Sequence, residues 1–248
     1  MTSRTDEAPA PPVDPAPPRA RRPIVAAPLR PFALVLAVLA AGALAGLSIA
    51  FAGDRRGTSL DDSLARRMFT GFGSTVRAFT LHTSDQHLTA SLLVVIVVGA
   101  LLYRRWDIAV FSTAAPLLAI FLTEVVLKPV VGRYLSYEFV GLALPHSGAF
   151  PSGHETGLAA LTVELAVLVL RAPIAAVWRA LAVALLAVWT VVGAVGLTAN
   201  LYHYATDCVG GVLVSLAVVL GVALVVDALW SRFSSPDARS RPRTSRAA

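Results

Sequence analysis

The chain has 248 residues, 56% of them hydrophobic, and its mean hydropathy of +0.70 exceeds what the core of a soluble protein requires. A net charge of +6 is compatible with nucleic-acid binding, but the arginines cluster in the tails and in short gaps between apolar segments. Basic residues in those places orient membrane helices. The composition therefore favours a membrane protein and argues against a nucleic-acid partner.

The two ends of the chain have the composition of disordered tails. Residues 1–30 are rich in proline and arginine and cannot bury enough surface to fold, so we predict a disordered cytoplasmic tail there. The apolar segment that follows begins too late and is too long for a signal peptide, which predicts a spanning helix. A second basic, disordered cytoplasmic tail is predicted over residues 231–248.

Six apolar segments lie between the tails, each close to the length that crosses roughly 30 Å of hydrocarbon. They predict an all-α, six-transmembrane-helix bundle over residues 31–230, with spans near 31–52, 88–103, 108–127, 156–170, 180–197 and 209–229. With the N-terminus inside, fourteen of the 21 lysines and arginines fall on the cytoplasmic side. The predicted location is a bacterial inner membrane, with both termini in the cytoplasm.

The long loop 53–87 carries apolar residues at helical spacing from Leu60 to Phe79, with charged residues such as Asp61 on the opposite face. This pattern predicts an amphipathic helix on the extracytoplasmic surface. Two roles remain open for it, packing over the bundle and admitting lipid.

Three polar islands interrupt the apolar sequence, at residues 128–133, 150–154 and 200–207. In the predicted topology all three lie on the extracytoplasmic side. Because unrelated loops would scatter ionisable residues over both faces, the shared side itself indicates a site.

The third island places His203 four residues before Asp207, so that imidazole and carboxylate share one face of a helix. A carboxylate bound to one ring nitrogen leaves the other nitrogen free to act as a nucleophile. The same spacing fits an ion pair at a helix end or a metal site, although no third metal ligand is evident.

The second island, Pro151-Ser152-Gly153-His154, precedes a span whose first N–H groups have no partner within the helix. These donors, the positive end of the helix dipole and the Ser152 hydroxyl suit an anion, and His154 is placed to protonate a leaving oxygen. The alternative is an ordinary helix start with Ser152 as its cap.

The first island supplies two cations, Lys128 and Arg133, that are suited to neutralise phosphate oxygens. The alternative is that both side chains snorkel to the membrane interface as anchors. Glu124 lies one helical turn before Lys128, and we expect the two to pair.

Taken together, Lys128, the Pro-Ser-Gly-His sequence and His203-x3-Asp207 followed by Gly210-Gly211 resemble the type 2 phosphatidic acid phosphatase and vanadium haloperoxidase superfamily, over roughly residues 55–229. The resemblance implies that His203 attacks phosphorus, that Asp207 holds it and that His154 protonates the leaving group. It also implies that Lys128, Ser152 and the Gly153 amide bind the phosphoryl oxygens, with no metal ion or other cofactor.

The chain departs from the family pattern at two arginines, which are replaced by Leu135 and Leu197. We predict that Arg133 takes over the first role; nothing obvious replaces the second. The predicted function is hydrolysis of a lipid phosphate or isoprenyl diphosphate at the membrane through a phosphohistidine. The alternative is a catalytically weakened relative that binds phospholipid head groups or supports a membrane complex. The sequence carries no signal for the oligomeric state.

Overall fold

The computed structural model describes residues 22–144 and 148–234. Nine α-helices occur in this part of the chain: α1 (Arg30–Ala50), α2 (Ser59–Gly71), α3 (Ser74–His82), α4 (Gln86–Leu102), α5 (Trp106–Phe121), α6 (Lys128–Val131), α7 (Gly153–Leu170), α8 (Ala176–Ala199) and α9 (Ala205–Ser234). A π-helical turn, Leu122–Leu127, joins α5 to α6.

Six helical segments of the described residues are long and apolar enough to cross a membrane: Ala27–Ala50, Ser74–Leu102, Trp106–Val131, Gly153–Leu170, Ala176–Ala199 and Ala205–Arg232. The predicted all-α bundle of six spans is confirmed, and the chain is a multi-pass membrane protein. A small antiparallel hairpin, in which β1 (Leu135–Tyr137) pairs with β2 (Leu142–Leu144), was not predicted from the sequence.

The predicted N-terminal tail is wrong for residues 22–30. Ile24 and Val25 are buried, and their backbone N–H groups donate to the Asp227 carboxylate at 2.7 and 2.8 Å. A side chain of α9 thereby satisfies backbone donors of the segment that leads into α1. At the other end, α9 continues to Ser234. The rest of the two predicted tails, residues 1–21 and 235–248, lies outside the described residues.

Residues 53–87 form two helices where one was predicted. The break falls at Phe72 and Gly73, between α2 and α3, because glycine is a poor helix former. The buried face of α2 is also not the predicted apolar stripe, since Asp61 is fully buried whereas Leu60 is 58% exposed. Helix α3 continues with α4 through one candidate span and packs against α8.

The backbone of α9 packs directly against the backbone at the start of α7, because Gly211 has no side chain to keep the two apart. A Cβ atom at Gly211 would lie 2.9 Å from both the Ser152 carbonyl oxygen and the Thr156 nitrogen. The Ser215 hydroxyl, one turn further along α9, donates to the Thr156 carbonyl oxygen at 2.9 Å. These contacts bring the segment around His203 beside the Pro-Ser-Gly-His turn.

We predict that Gly211→Ala destabilises the protein by about 1–3 kcal/mol, because the added methyl group meets backbone atoms that must move apart. Gly221→Ala, on the same helix, is the matched control. Nothing lies within 4 Å of its Cβ position, so alanine should be neutral or stabilising there by up to about 1 kcal/mol. Thermal unfolding in detergent measures both, and equal midpoints would contradict the close approach.

Candidate active site

The three polar islands meet at one end of the bundle, around a cavity of about 670 Å³. Lys128, Gly153, His154 and His203 line its polar end together with Glu124. The remaining walls are largely apolar and come mainly from α4 and α5, with Ala90, Leu93, Pro116, Leu117 and Ile120. The cavity therefore joins a group of ionisable side chains to an apolar surface between two candidate spans.

The His203 and His154 rings lie on neighbouring elements with their centroids 6.0 Å apart. His203 Nδ1 is 3.1 Å from the Ala149 carbonyl oxygen. Since a carbonyl oxygen only accepts hydrogen bonds, this bond requires the proton on Nδ1, and in the neutral imidazole the lone pair is then on Nε2. The imidazole is thus held in the tautomer that a nucleophilic Nε2 needs.

Asp207 lies near His203 but is not its hydrogen-bond partner. The distance from Asp207 Oδ2 to His203 Nδ1 is 3.7 Å, which is long for a hydrogen bond. Oδ2 instead accepts from the Tyr204 backbone N–H at 3.0 Å, and Oδ1 accepts from Arg133 at 2.5 Å. Asp207 therefore fixes the backbone next to His203, while the Ala149 carbonyl orients the ring. Among the described residues, no group of three or more His, Cys, Asp or Glu side chains is arranged to hold a metal ion.

Arg133 does not line the cavity, so the predicted phosphate-binding role does not fit its position. Its side chain is fully buried, with Nη1 bound to Asp207 and Nη2 bound to Asp61 at 3.1 Å. The guanidinium also lies over the Phe51 and Tyr204 rings, at 3.9 and 4.6 Å. Gly132 adopts a left-handed conformation with φ of 61° directly before Arg133, where the chain leaves α6.

Ser152 is also buried outside the cavity lining, so its predicted role as a phosphate ligand does not fit either. Its hydroxyl oxygen accepts from the Glu155 backbone N–H at 3.2 Å, which makes it the N-cap of α7. The alternative interpretation of this residue is thus the observed one. Gly153, at the first position of the helix, does reach the cavity.

Lys128 and Glu124 form the expected pair, with 2.7 Å between Nζ and Oε1. The π-helical turn Leu122–Leu127 directly precedes Lys128, and such turns are frequent at functional sites. The Thr123 hydroxyl in this turn is hydrogen-bonded to the Thr156 hydroxyl of α7 at 3.1 Å, which ties the turn to the start of α7.

At the two positions where the resemblance led us to expect arginine, the leucine side chains are buried. Leu135, in β1, forms part of the cavity wall. Leu197 is fully buried on α8. The neighbouring Gly196 lies against the Thr80 backbone, where a Cβ atom would overlap it, so this stretch of α8 is shaped to accept α3.

Asp61 and Tyr137 were not predicted to hold the site in place. Asp61 is the third residue of α2 in a capping box with Thr58, and that spacing is a recognisable signal for a helix start but not for a buried counterion. Tyr137 donates to the His203 carbonyl oxygen at 2.8 Å. Burial raises the pKa of the Tyr137 hydroxyl, so it remains a protonated donor.

Comparison with solved structures shows a likeness in fold. The chain has the fold of a transmembrane PAP2-type phosphatidylglycerolphosphate phosphatase from Bacillus subtilis, with a TM-score of 0.60. The sequences are 17% identical, and the match covers 79% of this chain and 96% of the Bacillus protein. No protein-family model and no curated protein matches the sequence.

We predict that Arg133→Ala lowers the stability by roughly 3–5 kcal/mol, because it leaves the Asp61 and Asp207 carboxylates buried without their cation. Thermal unfolding measures the loss. Arg56→Ala is the matched control, since the Arg56 ion pair with Glu138 is exposed and its removal should change stability little. An Arg133→Ala protein that keeps its unfolding midpoint but no longer binds phosphate would restore the original phosphate-ligand prediction.

Proposed function

We propose that the protein is a membrane phosphatase that hydrolyses a lipid phosphate or isoprenyl diphosphate through a phosphohistidine on His203, without a metal ion. One observation carries this proposal. Two histidines face one cavity with ring centroids 6.0 Å apart, beside a lysine and the start of a helix. The shared fold with a known phosphatase is consistent with it.

In the first step the Nε2 lone pair of His203 attacks phosphorus, and the bond from phosphorus to the leaving oxygen breaks. That oxygen takes the bonding electrons and receives a proton from His154. The Ala149 carbonyl supports this step because it keeps the proton of His203 on Nδ1. Tyr137 and Asp207 hold the carbonyl and the N–H of the peptide group that joins His203 to Tyr204.

In the second step water attacks the phosphohistidine, the bond from phosphorus to nitrogen breaks, and His154 accepts the proton of the water. Lys128 and the first N–H groups of α7 stabilise the phosphoryl oxygens in both steps. In this proposal Arg133 does not touch the substrate. It binds Asp207 and thereby holds the start of α9 in place.

The cavity walls support a lipid as the substrate. The polar end of the cavity continues along Leu93 of α4 and Leu117 of α5, and Leu117 is 65% exposed on the side of a candidate span. A phosphate bound at the histidines would therefore have its organic group directed along an apolar surface inside the bilayer. A water-soluble phosphate ester would leave that surface unused.

The proposed orientation puts the cavity outside the cytoplasm of a bacterial cell, with both termini inside. The opposite end of the bundle carries Arg22, Arg30 and Arg171, where Arg171 donates to the Arg22 carbonyl oxygen at 2.8 Å and Arg30 pairs with Asp227. Basic residues at that end support its assignment to the cytoplasm.

The second candidate is a catalytically weakened protein that binds phospholipid head groups or supports a membrane complex. Leu135 favours it, since this apolar residue forms the cavity wall at the position of a family arginine. Lys128 is the one lysine or arginine that lines the cavity among the described residues.

We predict that His203→Ala lowers phosphate release from lipid phosphates by at least about 10³-fold, because the nucleophile is lost. His82→Ala is the control, since His82 is exposed on α3 and does not line the cavity. The assay is release of inorganic phosphate from a panel of lipid phosphates and isoprenyl diphosphates, with acid-labile labelling of the protein as a second readout. Equal release by wild type and His203→Ala would refute the mechanism, and lipid binding without turnover over the whole panel would favour the second candidate.

A further inference from the structure

Glu124 occupies the place where the proposed function needs an anion. Its two carboxylate oxygens lie 2.7 and 2.9 Å from Lys128 Nζ. Its Oε1 also lies against Gly153, where a Cβ atom would overlap it. The carboxylate thus contacts both the cation and the first residue of α7, the two groups proposed to bind phosphoryl oxygens.

The surroundings of Glu124 indicate a carboxylate that can be displaced. Its side chain, which lines the cavity, is 42% exposed, whereas the side chain of Lys128 is 19% exposed. The ion pair between Arg133 and Asp61 is different, since both side chains are fully buried and held by further partners. Among the described residues, the Glu124 carboxylate accepts a side-chain hydrogen bond from Lys128 alone.

We infer that Glu124 is a specificity-determining residue that competes, as an internal anion, with the phosphate group for Lys128 and the α7 N-terminus. This inference rests on the proposed function and adds the substrate class that the site selects. A phosphate without an apolar group must displace Glu124 without any binding energy from the apolar wall. A lipid phosphate gains additional binding energy from the apolar wall of α4 and α5, and that energy offsets the displacement.

Two consequences follow for the reaction. The site should discriminate against soluble phosphate esters, because their binding depends on the contacts that Glu124 already makes. It should also release inorganic phosphate readily after hydrolysis, because Glu124 returns to Lys128 when the product leaves. The alternative role, in which Glu124 only holds Lys128 in position for phosphate, makes the opposite prediction for removal of its charge.

The experiment titrates inorganic phosphate into the purified full-length protein in detergent and measures the dissociation constant by calorimetry. We expect Glu124→Gln to bind phosphate at least about tenfold more tightly than wild type, because the competing charge is gone while the side-chain shape is kept. Glu138→Gln is the matched control. It removes the same charge from an exposed residue paired with Arg56 outside the cavity lining, and its binding should stay within about twofold of wild type.

Glu124→Ala serves as a second variant, since glutamine can still accept a hydrogen bond from Lys128, and it should also bind phosphate more tightly. Unchanged or weaker binding by both variants, including no binding by any protein, overturns the inference. The ratio of kcat/KM for a lipid phosphate to that for p-nitrophenyl phosphate should fall in Glu124→Gln.

Lipid hydrolysis measured in the same preparations separates the two levels of the proposal. Hydrolysis that depends on His203, together with unchanged phosphate binding in the Glu124 variants, overturns the role of Glu124 and leaves the proposed function standing. Tighter phosphate binding by Glu124→Gln without hydrolysis of any lipid overturns the phosphatase assignment and the lipid selection, while competition between Glu124 and phosphate stands.

Discussion

The buried guanidinium of Arg133 is the interaction on which the site depends. It bridges Asp61 of α2 and Asp207 of α9, and all three side chains are fully buried. Charges in such a place cost several kcal/mol each unless they are paired, so the segments that carry them are held together. Because Asp207 also accepts from the Tyr204 backbone N–H, the ion cluster sets the position of the residue that directly follows His203. The amphipathic helix α2 thereby becomes part of the scaffold of the cavity.

The use of Arg133 as a scaffold changes the electrostatics of the cavity. Among the described residues, Lys128 supplies the one permanent positive side chain of the lining, and Glu124 offsets it. A phosphoryl group bound there would depend more on the α7 N-terminus and on the histidines than it would in a site rich in arginine. A larger share of the affinity for a substrate would then come from the apolar wall. This balance suits a ligand that is held by the bilayer itself, where the effective concentration of its apolar chain is high.

The two ends of the bundle are stabilised in different ways. At the cavity end, backbone approach through Gly211 and the Arg133 cluster bring α2, α7 and α9 together. At the other end, Asp227 holds the chain before α1 by two backbone hydrogen bonds. Asp207 and Asp227 lie near opposite ends of α9, and groups from other segments bind both carboxylates. Polar groups inside the hydrocarbon region have few such partners, which is why the chemistry concentrates at the ends.

The sequence alone determined the six spans, since a bilayer imposes both length and apolarity on a helix. The predicted topology also put His154 and His203 on one side, and their rings lie together in the structure. Only the tertiary structure decided which groups these side chains bind. The 72-residue separation of Arg133 and Asp61 carries no local signal, and a carbonyl group such as that of Ala149 is the same in every residue. Helical periodicity likewise identifies the faces of α2 but not which face turns inward. That choice followed from the buried cation that Asp61 meets, because burial of a charge is decided by the groups around it and not by its neighbours in sequence.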